Sequence, residues 1–84
     1  MFEPSAFEMF IEWIEKDVDI FYRIVRLIEV CRRTPFEGMT KPKPLKGKLL
    51  GFWSRKIDKK HRLIYFVDAE KLFIVSCEGH YDDT

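Results

Sequence analysis

Apolar and polar positions along this chain follow two periods, one after the other. In the first third, Phe7, Phe10, Ile11 and Ile14 recur at spacings of three and four, with Trp13 beside them. That period predicts an amphipathic helix ending near Lys16, with Glu8, Glu12 and Glu15 largely on its polar side. Ser5-Ala6-Phe7-Glu8 has the pattern of a capping box at its start. Asp17 or Asp19 is placed to cap a second helix. Its stripe is Ile20, Ile24, Leu27, Ile28 and Cys31, widened by Phe21 and Val25. A join of two or three residues predicts an antiparallel helical hairpin. Both stripes read as core. Phe2 reads as the remnant of a first strand.

After Pro35 the helical period stops. Residues 35–44, PFEGMTKPKP, carry three prolines and one glycine and predict a loop, with Lys41 and Lys43 held extended by Pro42 and Pro44. Leu45–Leu50 alternates weakly and predicts a strand pairing with Gly51–Ile57 through a turn or bulge at Gly51. Asp58-Lys59-Lys60 is polar and turn-like. His61–Val67 is dense in β-branched and aromatic residues, Asp68–Lys71 makes another turn, and Leu72–Cys77 closes the pattern. Connections this short require antiparallel pairing. The expected fold class is α+β in two layers: a helical hairpin on one face of an antiparallel sheet of about four strands. The 84 residues form a single domain, without internal repeats.

Net charge is +1, but its distribution is uneven. Residues 1–30 hold seven carboxylates against three cations, and residues 63–84 hold five against one. Between them, residues 31–62 hold eleven cations against two carboxylates, a net of +9. Such a block suits a polyanion, because phosphate contacts supply most sequence-independent affinity for nucleic acid. A lysine-rich solvated surface would give the same count. Arg55, Lys56, His61 and Arg62 fall within one predicted hairpin, and His80-Tyr81 follows it. Guanidinium, imidazole and phenol on one small sheet form a set able to hold and cleave a phosphodiester. No apolar run approaches the roughly 20 residues of a membrane span. Cys31 and Cys77 are too few for a disulfide framework, so a reduced, cytoplasmic setting is expected.

Five stretches carry a resemblance to a known family: Arg32–Gly38 (RRTPFEG), Lys41–Lys46 (KPKPLK), Gly51–Arg55 (GFWSR), His61–Tyr65 (HRLIY) and His80-Tyr81. They resemble the YoeB/Txe toxins of the RelE superfamily, over about Glu3 to Tyr81. The resemblance implies a RelE-like fold and a bacterial type II toxin–antitoxin protein. It implies a ribosome-dependent, metal-independent endoribonuclease that cuts mRNA in the A site and needs no cofactor. It implies a YefM/Axe-type antitoxin as partner, ribosome and mRNA as targets, contact with DNA only through the antitoxin, no membrane association, and room for a homodimer. By the same resemblance Arg62 stabilises the phosphorane, His80 is the general acid and Tyr81 stacks on or orients a base. Lys46 belongs to the basic loop. Lys41, Lys48, Arg55 and Lys56 complete the expected RNA-binding set.

The chain departs from the family at three places. The family pattern K-P-E-P-L-K places a glutamate, the proposed general base, where this chain has Lys43. A lysine can act as base only when neutral, which crowding by Lys41 and Lys46 would favour; the lysine-dependent RelE branch is similar. Otherwise Glu37, Glu78 or His80 must take the proton, or the protein is a weakened toxin acting mainly as an antitoxin-binding corepressor. The family's opening strand is cut to Met1-Phe2. Asp82-Asp83-Thr84 extends past the usual end and would repel phosphate.

Overall fold

The structure is a computed structural model, and it describes residues 1–38 and 41–79. Helix α1 spans Pro4–Lys16 and α2 spans Val18–Arg33. Four strands follow: β1 (Lys43–Pro44), β2 (Trp53–Lys56), β3 (Arg62–Asp68) and β4 (Lys71–Ser76). They form one antiparallel sheet in chain order. The α+β, two-layer expectation holds: Ala6, Trp13, Ile20, Ile24, Leu27 and Cys31 from the helices pack on Ile57, Leu63, Tyr65, Ile74 and Cys77 from the sheet side. No helix among the described residues is long and apolar enough to cross a membrane.

The helix junction is built as expected. Asp17 is the N-cap of α2, its carboxylate accepting from the amides of Asp19 and Ile20 at 3.1 and 3.4 Å. The start of α1 differs. Pro4 occupies the first turn and Glu3 the cap position without a side-chain bond, so the Ser5/Glu8 capping box does not form. The buried face of α1 also differs. Phe7, Ile11 and Ile14 remain 49%, 43% and 48% exposed, whereas Ala6 and Trp13 are buried and Met9 and Phe10 pack against the core. The face with a methyl at Ala6 lies closest to the sheet, and Trp13 reaches past it to donate from its indole Nε1 to the Cys77 carbonyl at 3.1 Å.

Residues 45–50 do not form the expected strand. Leu45 is buried, but Gly47–Leu49 forms a short 3-10 turn, with Gly47 at φ 64° and Gly51 at φ 97°. The strand that pairs with β2 lies instead inside the proline-rich loop, at Lys43–Pro44. Proline tolerates this place because β1 is an edge strand. The opening segment pairs with β4: Phe2 forms a parallel bridge with Ile74, Ile74 N donates to Met1 O at 2.7 Å, and Glu3 N donates to Ile74 O at 2.9 Å. Lys71 pairs with Asp68 across a two-residue turn whose central residues, Ala69 and Glu70, have φ of 52° and 64°.

Candidate functional site

Strand register gathers the candidate residues. Lys43 is opposite Ser54 in the β1–β2 pair, Ser54 is opposite Ile64 in β2–β3, and Lys56 is opposite Arg62. Directly opposed residues share a sheet face, and residues two apart along a strand share it too. Lys43, Ser54, Lys56 and Arg62 therefore stand on one face, and all four line a cleft of about 620 Å³ with Lys41, Arg23, Ile57, Asp58 and Lys59. The volume falls in the range of ligand sites.

Asp58 shapes the rim of this cleft. Its Oδ1 accepts from the amides of Lys60 and His61 at 2.8 and 2.7 Å, closing the β2–β3 turn. Desolvation pushes its carboxyl up, but those two amides and the nearby His61 and Arg23 outweigh it and hold the carboxyl below the usual carboxylate range. Among the described residues that line the cleft, Asp58 is the one carboxylate. A carboxylate so engaged is a weak base.

Arg62 is anchored through one nitrogen. Its Nη1 donates to the carbonyls of Asp58 and His61 at 2.9 and 3.1 Å. Among the described residues, Nε and Nη2 have no hydrogen-bond partner. A guanidinium fixed at one corner presents its remaining N–H groups in a set plane, the geometry that suits two phosphoryl oxygens. The Arg62 amide donates to Gly79 O at 2.9 Å, so the residue before His80 is tied to the cleft through the backbone.

The expected residues divide into groups. Lys41, Lys43, Lys56 and Arg62 converge on the cleft. Lys46 and Lys48 are exposed and do not line it. Arg55 is corrected: it is 1% exposed and cannot serve as a surface RNA contact. Its Nε donates to the Tyr65 hydroxyl at 3.2 Å, and its Nη2 donates to the carbonyls of Thr34 and Glu37. Tyr65 passes a further bond to Pro35 O at 2.6 Å. This arginine ties the RRTPFEG loop to the sheet. His80 and Tyr81, with the Asp82–Thr84 extension, lie outside the described residues. Of the alternative bases, Glu78 is paired to Lys16 at 3.1 Å and Glu37 is exposed, and neither lines the cleft.

Sequence reading did not select Arg23 or Asp58. Arg23 reaches from α2 to donate to Ile57 O at 3.1 Å at the cleft wall. The available signal was its polar side chain one turn from Ile20 and Leu27 on a helix otherwise read for its apolar stripe.

Residues 2–81 match the family of YoeB-like toxins of bacterial type II toxin-antitoxin systems. The chain is 44% identical over 81 residues to Toxin YoeB of Escherichia coli (strain K12), covering 96% of both chains. Its backbone is similar to that of a YoeB/ParE toxin from Agrobacterium tumefaciens, with a TM-score of 0.92, 36% identity and 96% coverage of both. It is also similar to Staphylococcus aureus YoeB in a YoeB-YefM complex (TM-score 0.88, 36% identity, 96% of this chain and 94% of that one) and in a YoeB dimer (TM-score 0.87, 38% identity, the same coverage). Motifs, fold and whole-length similarity agree, and the chain belongs to the YoeB-like toxins of bacterial type II toxin–antitoxin systems.

Proposed function

We propose that this toxin is a ribosome-dependent endoribonuclease that cleaves mRNA in the A site without a metal ion and thereby stops translation. The observation that carries the reading is the convergence of Lys41, Lys43, Lys56 and Arg62 on one cleft whose rim is bonded to Gly79, the residue before His80. Cleavage needs the 2′-hydroxyl deprotonated, the phosphorane stabilised and the 5′-oxygen protonated. Arg62 offers Nε and Nη2 to the phosphoryl oxygens. Lys41 and Lys56 add positive charge beside it. His80 delivers the proton to the leaving oxygen, and Tyr81 orients a base. Lys46 and Lys48, outside the cleft, contact RNA backbone.

Proton removal falls to Lys43 in its neutral form. Lys43 lines the cleft at the position where the family carries its glutamate, whereas Glu37 and Glu78 do not line it. As in the S. aureus complex and dimer, the partners are a YefM-type antitoxin and a second copy of the chain. DNA is reached only through the antitoxin. The test is single-turnover cleavage of ribosome-bound mRNA; absence of cleavage under conditions where an E. coli YoeB control cuts would refute the reading.

Lys43 also supports a second reading, in which the chain keeps the fold and antitoxin surface but cuts poorly and acts mainly as corepressor. Expression without antitoxin separates the two: growth arrest supports the nuclease, normal growth the corepressor.

A further inference from the structure

The segment leading to His80 is held from several sides, and within it the Ser76 hydroxyl donates to Glu78 O at 3.1 Å. Trp13 donates from Nε1 to Cys77 O at 3.1 Å, and Lys16 pairs with Glu78 at 3.1 Å. Gly79 receives the Arg62 amide on its carbonyl, and its own amide donates to Nδ1 of His61 at 2.9 Å. A backbone amide can only donate, so His61 Nδ1 must present a lone pair. The ring is then neutral, with its proton on Nε2. The edge-to-face contact with Trp13, at 4.8 Å and 77°, fixes the ring's orientation.

We propose that His61 is a positioning residue: in its Nε2–H form it holds the Gly79 amide, and through that bond it sets where the chain enters His80. Its consequence for catalysis rests on the nuclease reading above. Protonating Nδ1 would set two N–H groups against each other and release Gly79. The neighbours of His61 act in opposite senses. The Asp58 carboxylate, which accepts from the His61 amide, favours the imidazolium. Arg23 on α2 and Arg62 on β3 oppose it. From α1, Lys16 is paired with Glu78, so those two charges largely offset. Loss of the Nδ1 lone pair therefore frees the Gly79 amide, at the residue that precedes His80 in the chain.

Two variants and one spectroscopic measurement test this. His61→Asn places an amide oxygen near the Nδ1 position and cannot titrate; His61→Phe keeps the ring edge on Trp13 but removes the acceptor. Nitrogen-15 NMR of the wild-type protein is expected to show unprotonated Nδ1 at neutral pH. The Gly79 amide signal should move with the His61 ring titration, and not at all in His61→Asn. In mRNA cleavage, His61→Phe should lower kcat roughly three- to tenfold with KM unchanged, the loss of one part-buried hydrogen bond, and His61→Asn should restore it. A protonated Nδ1 at neutral pH, or a Gly79 amide indifferent to His61, overturns the proposal. So does a fully active His61→Phe. If the wild type does not cleave mRNA at all, the nuclease reading fails while the NMR result still decides the positioning role.

Discussion

Lys56 and Arg62 are direct cross-strand partners on the cleft face of β2 and β3. Like charges in that relation repel by a few tenths to about 1 kcal/mol, and an anion between them removes the repulsion. Lys56→Gln should therefore stabilise the free protein by about 0.5 kcal/mol at low salt while weakening RNA binding. Denaturant unfolding and a binding titration at two salt concentrations check both signs together. A variant that is both less stable and equally tight-binding would contradict the arrangement.

Arg62→Ala removes a cleft-lining guanidinium whose Nε and Nη2 have no partner among the described residues. Loss of such electrostatic stabilisation should lower kcat by roughly 10²–10³-fold. In cells it should relieve growth arrest at equal expression. Undiminished arrest would remove Arg62 from its assigned role.

Lys43 gives a pH signature. A neutral lysine acting as base makes the cleavage rate climb with pH, and Lys43→Ala should cost roughly 10²–10⁴-fold. Lys43→Glu should retain cleavage with its rise moved to the carboxylate range. Identical pH profiles for the three proteins would make Lys43 a bystander.

The β3–β4 turn is strained for its sequence. Two-residue turns with positive φ at both centres favour Asn-Gly, yet Ala69 and Glu70 hold those positions. The double change Ala69→Asn, Glu70→Gly should stabilise by about 1 kcal/mol, raising Tm by about 4–8 °C. Calorimetry gives the answer without reference to activity.

Burial pushes the Tyr65 hydroxyl up to about 12, with the Arg55 bond pulling against it, and pushes the Cys77 thiol up to about 12, with the Glu78 charge adding to it. Both groups are neutral when folded. The stability they contribute is complete below their ordinary ranges, near 8.5 for the thiol and 10 for the phenol, and is lost as pH rises towards 12. Native protein at pH 8 should resist thiol reagents until unfolded, and stability should fall from about pH 9 upward. Rapid native labelling of Cys77 would contradict its placement.

Sheet and helix boundaries were legible where a single period ruled. Asp17, Asp58 and the Asp68–Lys71 turn announced themselves by residue type, and short connections determined the antiparallel order. Reading failed where two faces competed. In α1 the larger side chains Phe7, Ile11 and Ile14 made the stronger stripe, but close approach to the sheet favours the small Ala6. Leu45–Leu50 looked like a strand, but Gly47 and Gly51 turn the backbone through left-handed conformations that pattern alone does not register. Arg55 looked like a surface cation because charge gives no sign of depth. Only the three-dimensional neighbours Thr34, Glu37 and Tyr65 show that a guanidinium can be satisfied inside. Lys43 and Arg62 were legible through motif, and register then put them on one face.

The sheet runs in strict chain order, and its last strand supplies Ile74, with Cys77 just beyond, to the core that both helices close. A growing chain therefore displays the cations of β1 to β3 before it owns the strand that completes their support. Trp13 also waits for Cys77, 64 residues later, to receive its indole bond. Chain order thus puts every residue that lines the cleft ahead of β4, so the strand and the indole bond that close the core are the last parts of the fold to become available.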